Sequence, residues 1–231
     1  MTDFIEKNSN LGGFEGGSAG IAGNSASALV AILLCTYNGA RFLAEQLDSL
    51  ERQMHQNWIV IASDDGSTDS TLEILQEYQE KWPAGKLAIV NGPQSNFCQN
   101  FLSLACDSNI RADYYAFCDQ DDRWNADKLM VAIKSLDSLN NEVPTLYCGA
   151  TKYISADGKF LQNSYVFQKP PSFGNALVQS IAGGNTMVFG SPKQRLQEEG
   201  VPYSDTVNRY IGSTLPALDL AAEFGIVICL E

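Results

Sequence analysis

The sequence predicts an α/β protein built on a doubly wound, mostly parallel sheet with helices on both faces. Two observations carry the prediction. Short apolar runs without polar alternation read as strands buried on both faces. They alternate with stretches in which apolar residues recur every three or four positions, the period of an amphipathic helix. Five such strands and four such helical patterns follow one another between residues 28 and 150. Repeated βαβ units with right-handed crossovers require a parallel, doubly wound sheet.

Each element can be justified in order. LVAILLCTYN, from residue 29, is the first strand, and Leu43, Leu47, Leu50 and Met54 mark the first helix. WIVIAS at 58–63 is the second strand. It leads through DDGSTDS into a helix with Leu72, Leu75, Tyr78 and Trp82 on one face. KLAIV at 86–90 is the third, followed by the turn NGPQSN and a helix whose buried face would be Phe97, Phe101, Leu104 and Ala105. YYAFC at 114–118 leads through DQDDRW into a helix carrying Leu129, Ile133 and Leu136, and TLYCGA at 145–150 is the fifth strand.

After Ala150 the rhythm breaks. YISADGKFL reads as a hairpin, because Asp157-Gly158 suits a tight turn with positive φ. FGNALVQS reads as a short helix, and GGNTMVF at 183–189 as a strand entered through two glycines. Residues 1–27 are rich in Gly, Ser, Ala and Asn and read as a flexible leader. Residues 28–190 form the expected domain. Residues 191–231 have weak periodicity and read as an atypical tail, a divergent or frame-shifted end that leaves the domain incomplete.

Composition excludes several classes. The 231 residues are 45% apolar and carry 15 Lys+Arg against 27 Asp+Glu, a formal charge of −12. Whole-chain disorder is excluded by the apolar content, and a nucleic-acid partner is disfavoured by the sign of the field. No run reaches the roughly 18 apolar residues of a membrane-spanning helix, and MTDFIEKNSN lacks the basic and apolar regions of a secretory signal. The expected location is the cytoplasm, with surface contact at the inner face of the cell membrane left open. The six cysteines contain no C-x-x-C pair and read as buried reduced thiols, and the single histidine, His55, reads as a structural residue after a helix.

The polar clusters sit at the carboxyl ends of the expected strands, where open parallel sheets bind ligands. Thr36-Tyr37-Asn38 follows the first, Asp64-Asp65 the second and Asp119-Gln120-Asp121-Asp122 the fourth. Five carboxylates on one sheet edge repel one another, so they call for a hard divalent cation, Mg²⁺ or Mn²⁺, or a polyhydroxyl ligand. Part of DDGSTDSTLE has a structural reading, since Ser70 and Glu73 have capping-box spacing. An EF-hand fails in both frames: Trp124 or Ser70 would replace the required glycine, and Met130 or Gln76 the required glutamate. A P-loop is absent. SDDGST is a poor aspartyl-phosphatase loop because Ser63 stands where the nucleophile would be.

LLCTYNGARFLAEQLDSL, SDDGSTDSTLEIL, FCDQDDRWNADKL and GGNTMVF, in this order, resemble the signatures of glycosyltransferase family 2 on a GT-A fold. The DQDD-x-W wording resembles its bacterial rhamnosyltransferase-type members. The resemblance implies that Tyr37 stacks on the base of a nucleotide sugar and that Thr36 also binds the donor. It further implies that Asp65 accepts a hydrogen bond from the base, that Asp119 binds the ribose and that Asp121 holds the metal bridging the diphosphate. Gly184, Asn185 and Thr186 would line the sugar and acceptor side. The implied partners are a nucleoside-diphosphate sugar donor and a glycan or lipid-linked acceptor. Such chemistry also suits the charge, because a metal offsets the repulsion between an anionic donor and an acidic protein. Tyr37 and Trp124 each have a competing reading as packing residues.

The chain departs from the family after Phe189. Inverting members take the acceptor proton with an Asp of an ED or HD pair, and neither dipeptide occurs there. Asp205 and Glu198-Glu199 are the remaining candidates, so the catalytic base stays unassigned. A catalytically impaired nucleotide-sugar binding module is therefore the alternative expectation.

Overall fold

The computed structural model describes residues 27–138, 145–155, 158–164 and 183–190, together with the backbone of 227–230. Along the chain run β1 (Val30–Thr36), α1 (Leu43–Glu51), β2 (Trp58–Asp64), α2 (Thr71–Lys81), β3 (Leu87–Asn91) and α3 (Phe97–Ala105). Next come β4 (Tyr114–Cys118), α4 (Lys128–Asp137), β5 (Thr145–Cys148), β6 (Lys152–Ile154), β7 (Phe160–Asn163), a 3-10 turn (Gly184–Thr186), β8 (Met187–Gly190) and β9 (Val227–Leu230).

Among the described residues the main sheet has the order β3-β2-β1-β4-β8-β5-β9. Strands β1 to β4 pair in parallel, β8 runs antiparallel between β4 and β5, and β9 lies parallel to β5. The mostly parallel sheet is therefore observed, with β8 as its one reversed strand among those described. The apolar run near residue 227, which the sequence leaves unplaced, supplies β9.

β1 shows why the runs lack alternation. Val30, Ile32 and Leu34 point to one face and pack on α1, α2 and α4 through Leu47, Leu75 and Ile133. Ala31, Leu33 and Cys35 point to the other and pack on α3 through Leu102 and Ala105. Both faces are covered, so every position must be apolar. Burying Leu43, Leu47 and Leu50 completely stabilises the α1 contact by about 1.5–3 kcal/mol each. His55 is buried and donates from Nε2 to the carbonyl of Ala28 at 2.8 Å, which ties the entry of β1 to the end of the α1 connection.

Four local expectations need correction. α1 stops at Glu51, and Met54 is exposed in the following loop, where its amide donates to the Ala126 carbonyl. The Ser70–Glu73 capping box does not form; Asp69 instead accepts from the amide and hydroxyl of Thr71. Phe97 is not on the buried face of α3 but 79% exposed, because the core side of that helix is made by Asn100, Leu102, Leu104 and Ala105. Two thiols, Cys98 and Cys106, are only half-buried, whereas Cys35, Cys118 and Cys148 are buried.

The expected hairpin is present as the antiparallel pair β6–β7, with Gly158 at φ +79°. The FGNALVQS segment lies outside the described residues, as do residues 1–26 of the expected leader and residues 191–226 of the expected tail. Among the described residues no helix is long and apolar enough to cross a membrane.

Candidate active site

The chain builds β1, β2 and β3 outward in one direction and then returns to place β4 on the other flank of β1. At such a reversal the loops leaving the two central strands diverge and open a crevice at the carboxyl edge. A cavity of about 680 Å³ lies there, and Tyr37, Asp65, Phe97, Asp119, Gln120 and Asp121 are among the residues lining it. That volume is in the usual range for a small-molecule site.

The β1 and β2 loops are held together by Asp64. Its carboxylate, almost fully buried, accepts from the Thr36 hydroxyl at 2.8 Å, the Ser67 hydroxyl at 2.6 Å and the amides of Ser67 and Gly66 at 2.9 and 3.2 Å. A buried carboxylate persists only with such a set of donors. Asp64 is thus the structural member of the acidic pair, and Thr36 lies buried beneath the cavity with its hydroxyl engaged. Asp65 lines the cavity: its amide donates to the Thr36 carbonyl at 2.9 Å and its Oδ1 accepts from the Gln94 amide at 2.5 Å. Gly92 permits this approach, since a Cβ there would stand 2.8 Å from Asp65 Oδ1 and 3.0 Å from the Asp64 carbonyl oxygen.

Gln120 joins the β1 and β4 loops. It accepts from the Tyr37 amide at 2.9 Å and donates to the Tyr37 carbonyl at 3.0 Å. This reciprocal pair fixes the Tyr37 backbone while leaving its ring 58% exposed at the cavity. The packing alternative for Tyr37 does not describe this position. For Trp124 it does: the indole is buried in the core cluster.

The acids divide. Asp119 and Asp121 line the cavity, while Asp122 accepts from the Asn185 side-chain amide at 2.6 Å. The expected convergence of five carboxylates thus reduces to three facing the cavity, because Asp64 and Asp122 are engaged in structural hydrogen bonds. Burial, followed by the charges of Asp122 and Asp121, pushes the Asp119 carboxyl up to about 6. Asp122 is raised as well, mainly by burial. Asn185, expected on the substrate side, has its amide committed to Asp122 and its carbonyl accepting from Lys128. Thr186 is buried and donates to the Gly183 carbonyl, while Gly184 faces open space.

The donor chemistry fits a hard divalent cation. Asp119 and Asp121 present carboxylate oxygens whose mutual repulsion a cation relieves. Among the described residues no three His, Cys, Asp or Glu side chains form a ready cage. An ion held by one or two carboxylates, with other ligands drawn from phosphate and water, matches that arrangement. Covalent chemistry through the cavity thiol is disfavoured, because burial above all, then Asp119, drives Cys35 far above the range in which a thiolate forms.

The acidic wall has a consequence for stability. Asp119 binds its proton more tightly folded than unfolded, so between about pH 4 and 6 the folded state holds the extra proton. Its contribution is complete at the low end of that window and is lost as the pH rises through about 6. The melting temperature of the cation-free protein should therefore fall more between pH 5 and 7 than that of Asp119→Asn. Equal slopes in a fluorescence melt of the two proteins would refute this assignment.

Comparison with known proteins agrees with this geometry. The sequence profile described as "Glycosyl transferase family 2" matches residues 31–200. The dTDP-rhamnosyl transferase RfbG of Shigella flexneri is 39% identical over 106 residues, covering 45% of this chain and 36% of that protein. Mannosyltransferase PcManGT of Pyrobaculum calidifontis, solved with GDP-Man and Mn²⁺, superposes with a TM-score of 0.56 at 19% identity, covering 87% of this chain and 56% of that one. S. aureus TarS 1-349 in complex with UDP gives a TM-score of 0.54 at 18% identity, covering 87% and 57%. In each, the match spans less than two thirds of the relative's length. The fold is that of the GT-A glycosyltransferases, and the chain belongs to glycosyltransferase family 2.

Proposed function

We propose that residues 28–190 are the donor-binding part of a metal-assisted, inverting glycosyltransferase. The donor is a nucleoside-diphosphate sugar and the acceptor a polysaccharide or lipid-linked glycan. The observation that carries the reading is the cavity at the strand reversal, with an exposed aromatic and Asp65 on one side and Asp119 and Asp121 on the other. The base stacks on Tyr37 and is read by Asp65, and Asp119 accepts from the ribose. Asp121, with Asp119 close by, holds a Mg²⁺ or Mn²⁺ ion. Such an ion, when bound, supplies Lewis-acid stabilisation of the departing diphosphate.

The chain's own part is positioning. The Gln120–Tyr37 pair and the Asp64 hydrogen bonds hold the base-binding and acidic walls at a set separation. That rigidity favours a bound donor with its anomeric carbon open to direct displacement from the acceptor side. The likeness to RfbG makes a dTDP-linked deoxyhexose the first donor to test. The acceptor-side base stays unassigned: Asp205 and Glu198-Glu199, the candidates by sequence, lie outside the described residues.

The test is calorimetric binding of UDP, dTDP and GDP with and without Mn²⁺, followed by donor turnover with the matching nucleotide sugars. Binding of one nucleotide that strengthens with Mn²⁺, together with turnover, is the expected result. Binding without turnover would favour a binding module, and absence of nucleotide binding would overturn the proposal.

Phe97 extends the base site. It opens α3 at the cavity and leaves its ring in solvent, although a phenylalanine there gains nothing from the core. Base stacking on an aromatic contributes about 1–3 kcal/mol. Phe97→Ala should weaken nucleoside-diphosphate binding about tenfold with an unchanged melting temperature. Unchanged affinity in the same titration would remove Phe97 from the site.

A further inference from the structure

Lys128 is a half-buried cation that the mechanism leaves unused. It opens α4 directly after the acidic loop. Its Nζ stands 3.4 Å from the centre of the Trp124 ring and donates to the Asn185 carbonyl. The Asn185 side chain in turn donates to Asp122. Lys128 also lowers the proton affinity of Asp119 and Asp122, which places its charge within electrostatic reach of both carboxylates. Burial pulls Lys128 itself down to about 8, so at pH 7 it remains mainly charged.

An ammonium drawn partly out of water is costly unless partnered. Here its partners come from two segments: the acidic loop, through the Trp124 ring and, by way of Asn185, Asp122, and the 183–186 turn, through the Asn185 carbonyl. The other titratable groups facing it are Asp119 and the Cys118 thiol, which burial holds neutral. Asp121 adds a further negative charge to Asp119 and Asp122 from the same loop. The arrangement does two things at once. It docks the turn bearing Asn185 onto the acidic loop, and it sets one positive charge within electrostatic reach of Asp122 and Asp119.

We propose that Lys128 is a positioning residue that clasps the Gly184–Thr186 turn to the acidic loop through Asn185 and Asp122, and whose charge, through Asp122 and Asp119, moderates the affinity of that loop for the divalent cation. The proposal rests on the metal-assisted reading of the same cavity. It assigns Asp122 to the clasp and leaves Asp119 and Asp121 for the ligand. A moderated site binds a metal–nucleotide product less tightly than three uncompensated acids would, which favours release.

The test is Mn²⁺ titration at pH 7 with whichever of UDP, dTDP and GDP the chain binds, followed by electron paramagnetic resonance of the free ion. Lys128→Met, close in volume and uncharged, should lower the Mn²⁺ dissociation constant at least about threefold, because removing a nearby positive charge strengthens cation binding. Asp122→Asn, which keeps an oxygen to accept from Asn185, should raise it by a similar factor. The double variant removes opposite charges together and should bind Mn²⁺ more tightly than Asp122→Asn alone. That comparison also serves if Lys128→Met by itself does not fold. A lysine with a merely structural role would weaken Mn²⁺ binding, or leave it unchanged, when replaced. Either result, with the wild-type protein binding Mn²⁺, would overturn the inference alone. Failure of the wild-type protein to bind Mn²⁺ would overturn the metal reading and the inference with it.

Discussion

Asp121→Ala is expected to lower donor turnover about 10²–10³-fold, the loss typical when one preorganised electrostatic group is removed from a reacting centre. The reason is geometric. Asp121 is exposed at the cavity and Asp122 is bound to Asn185, so Asp122 cannot take over without opening the clasp. Asp119 remains, but losing one of the two loop carboxylates that face the cavity would weaken the hold on a hard cation. The substitution removes an exposed side chain outside the core, so stability should stay within about 0.5 kcal/mol of wild type. Steady-state turnover in saturating Mn²⁺, beside a thermal melt, checks both halves. Turnover near the wild-type rate would show that Asp121 does not hold the ion.

Asp64→Ala is expected to produce the largest loss of stability. Truncation leaves the buried Thr36 hydroxyl and the donors of Gly66 and Ser67 without their acceptor. At about 1–3 kcal/mol for each buried group left unsatisfied, partly offset where water can reach the loop, the cost is about 3 kcal/mol. For a domain of this size that lowers the melting temperature by about 6–12 °C. Asp64→Asn retains an acceptor oxygen and should lose about half as much. Nucleotide affinity should fall in the same variants, since Asp65 rides on the loop that Asp64 holds. A melting temperature within about 2 °C of wild type for Asp64→Ala would show that the loop is held by other contacts.

These two aspartates mark where sequence reading succeeds and where it stops. Both stand in acidic clusters at strand ends, and the sequence places both at the ligand edge of a parallel sheet. It cannot separate Asp64 from Asp65, because the difference is which carboxylate turns inward to meet Thr36 and Ser67. The same holds for Asp121 and Asp122, divided by an amide 63 positions further along the chain. Phe97 misleads for a related reason. It falls in phase with Phe101 and Leu104, yet it lines the cavity in solvent while Asn100 of the same turn is buried against Ser63 of β2, and the helical period alone does not say where the core ends. Gln120 carries no sequence signal of its role, since its partner is the backbone of Tyr37. A hint existed in Gly39, where any Cβ would meet the Gln120 side chain.

By itself the sequence determined the alternation of buried strands and amphipathic helices, the sheet edge at which the polar clusters gather, and the family. Those properties follow from local periodicity and from the short polar segments that end each strand. Only the tertiary structure decided the order of strands, the reversed β8 between β4 and β5, and the sorting of the acids into structural and cavity-facing groups. It also turned Lys128 from one charge among 15 Lys+Arg into a cation within electrostatic reach of Asp122 and Asp119. The physical reason is common to all of these. Burial and hydrogen-bond partnership are relations between distant segments, and a side chain's role at this site depends on what the fold sets opposite it.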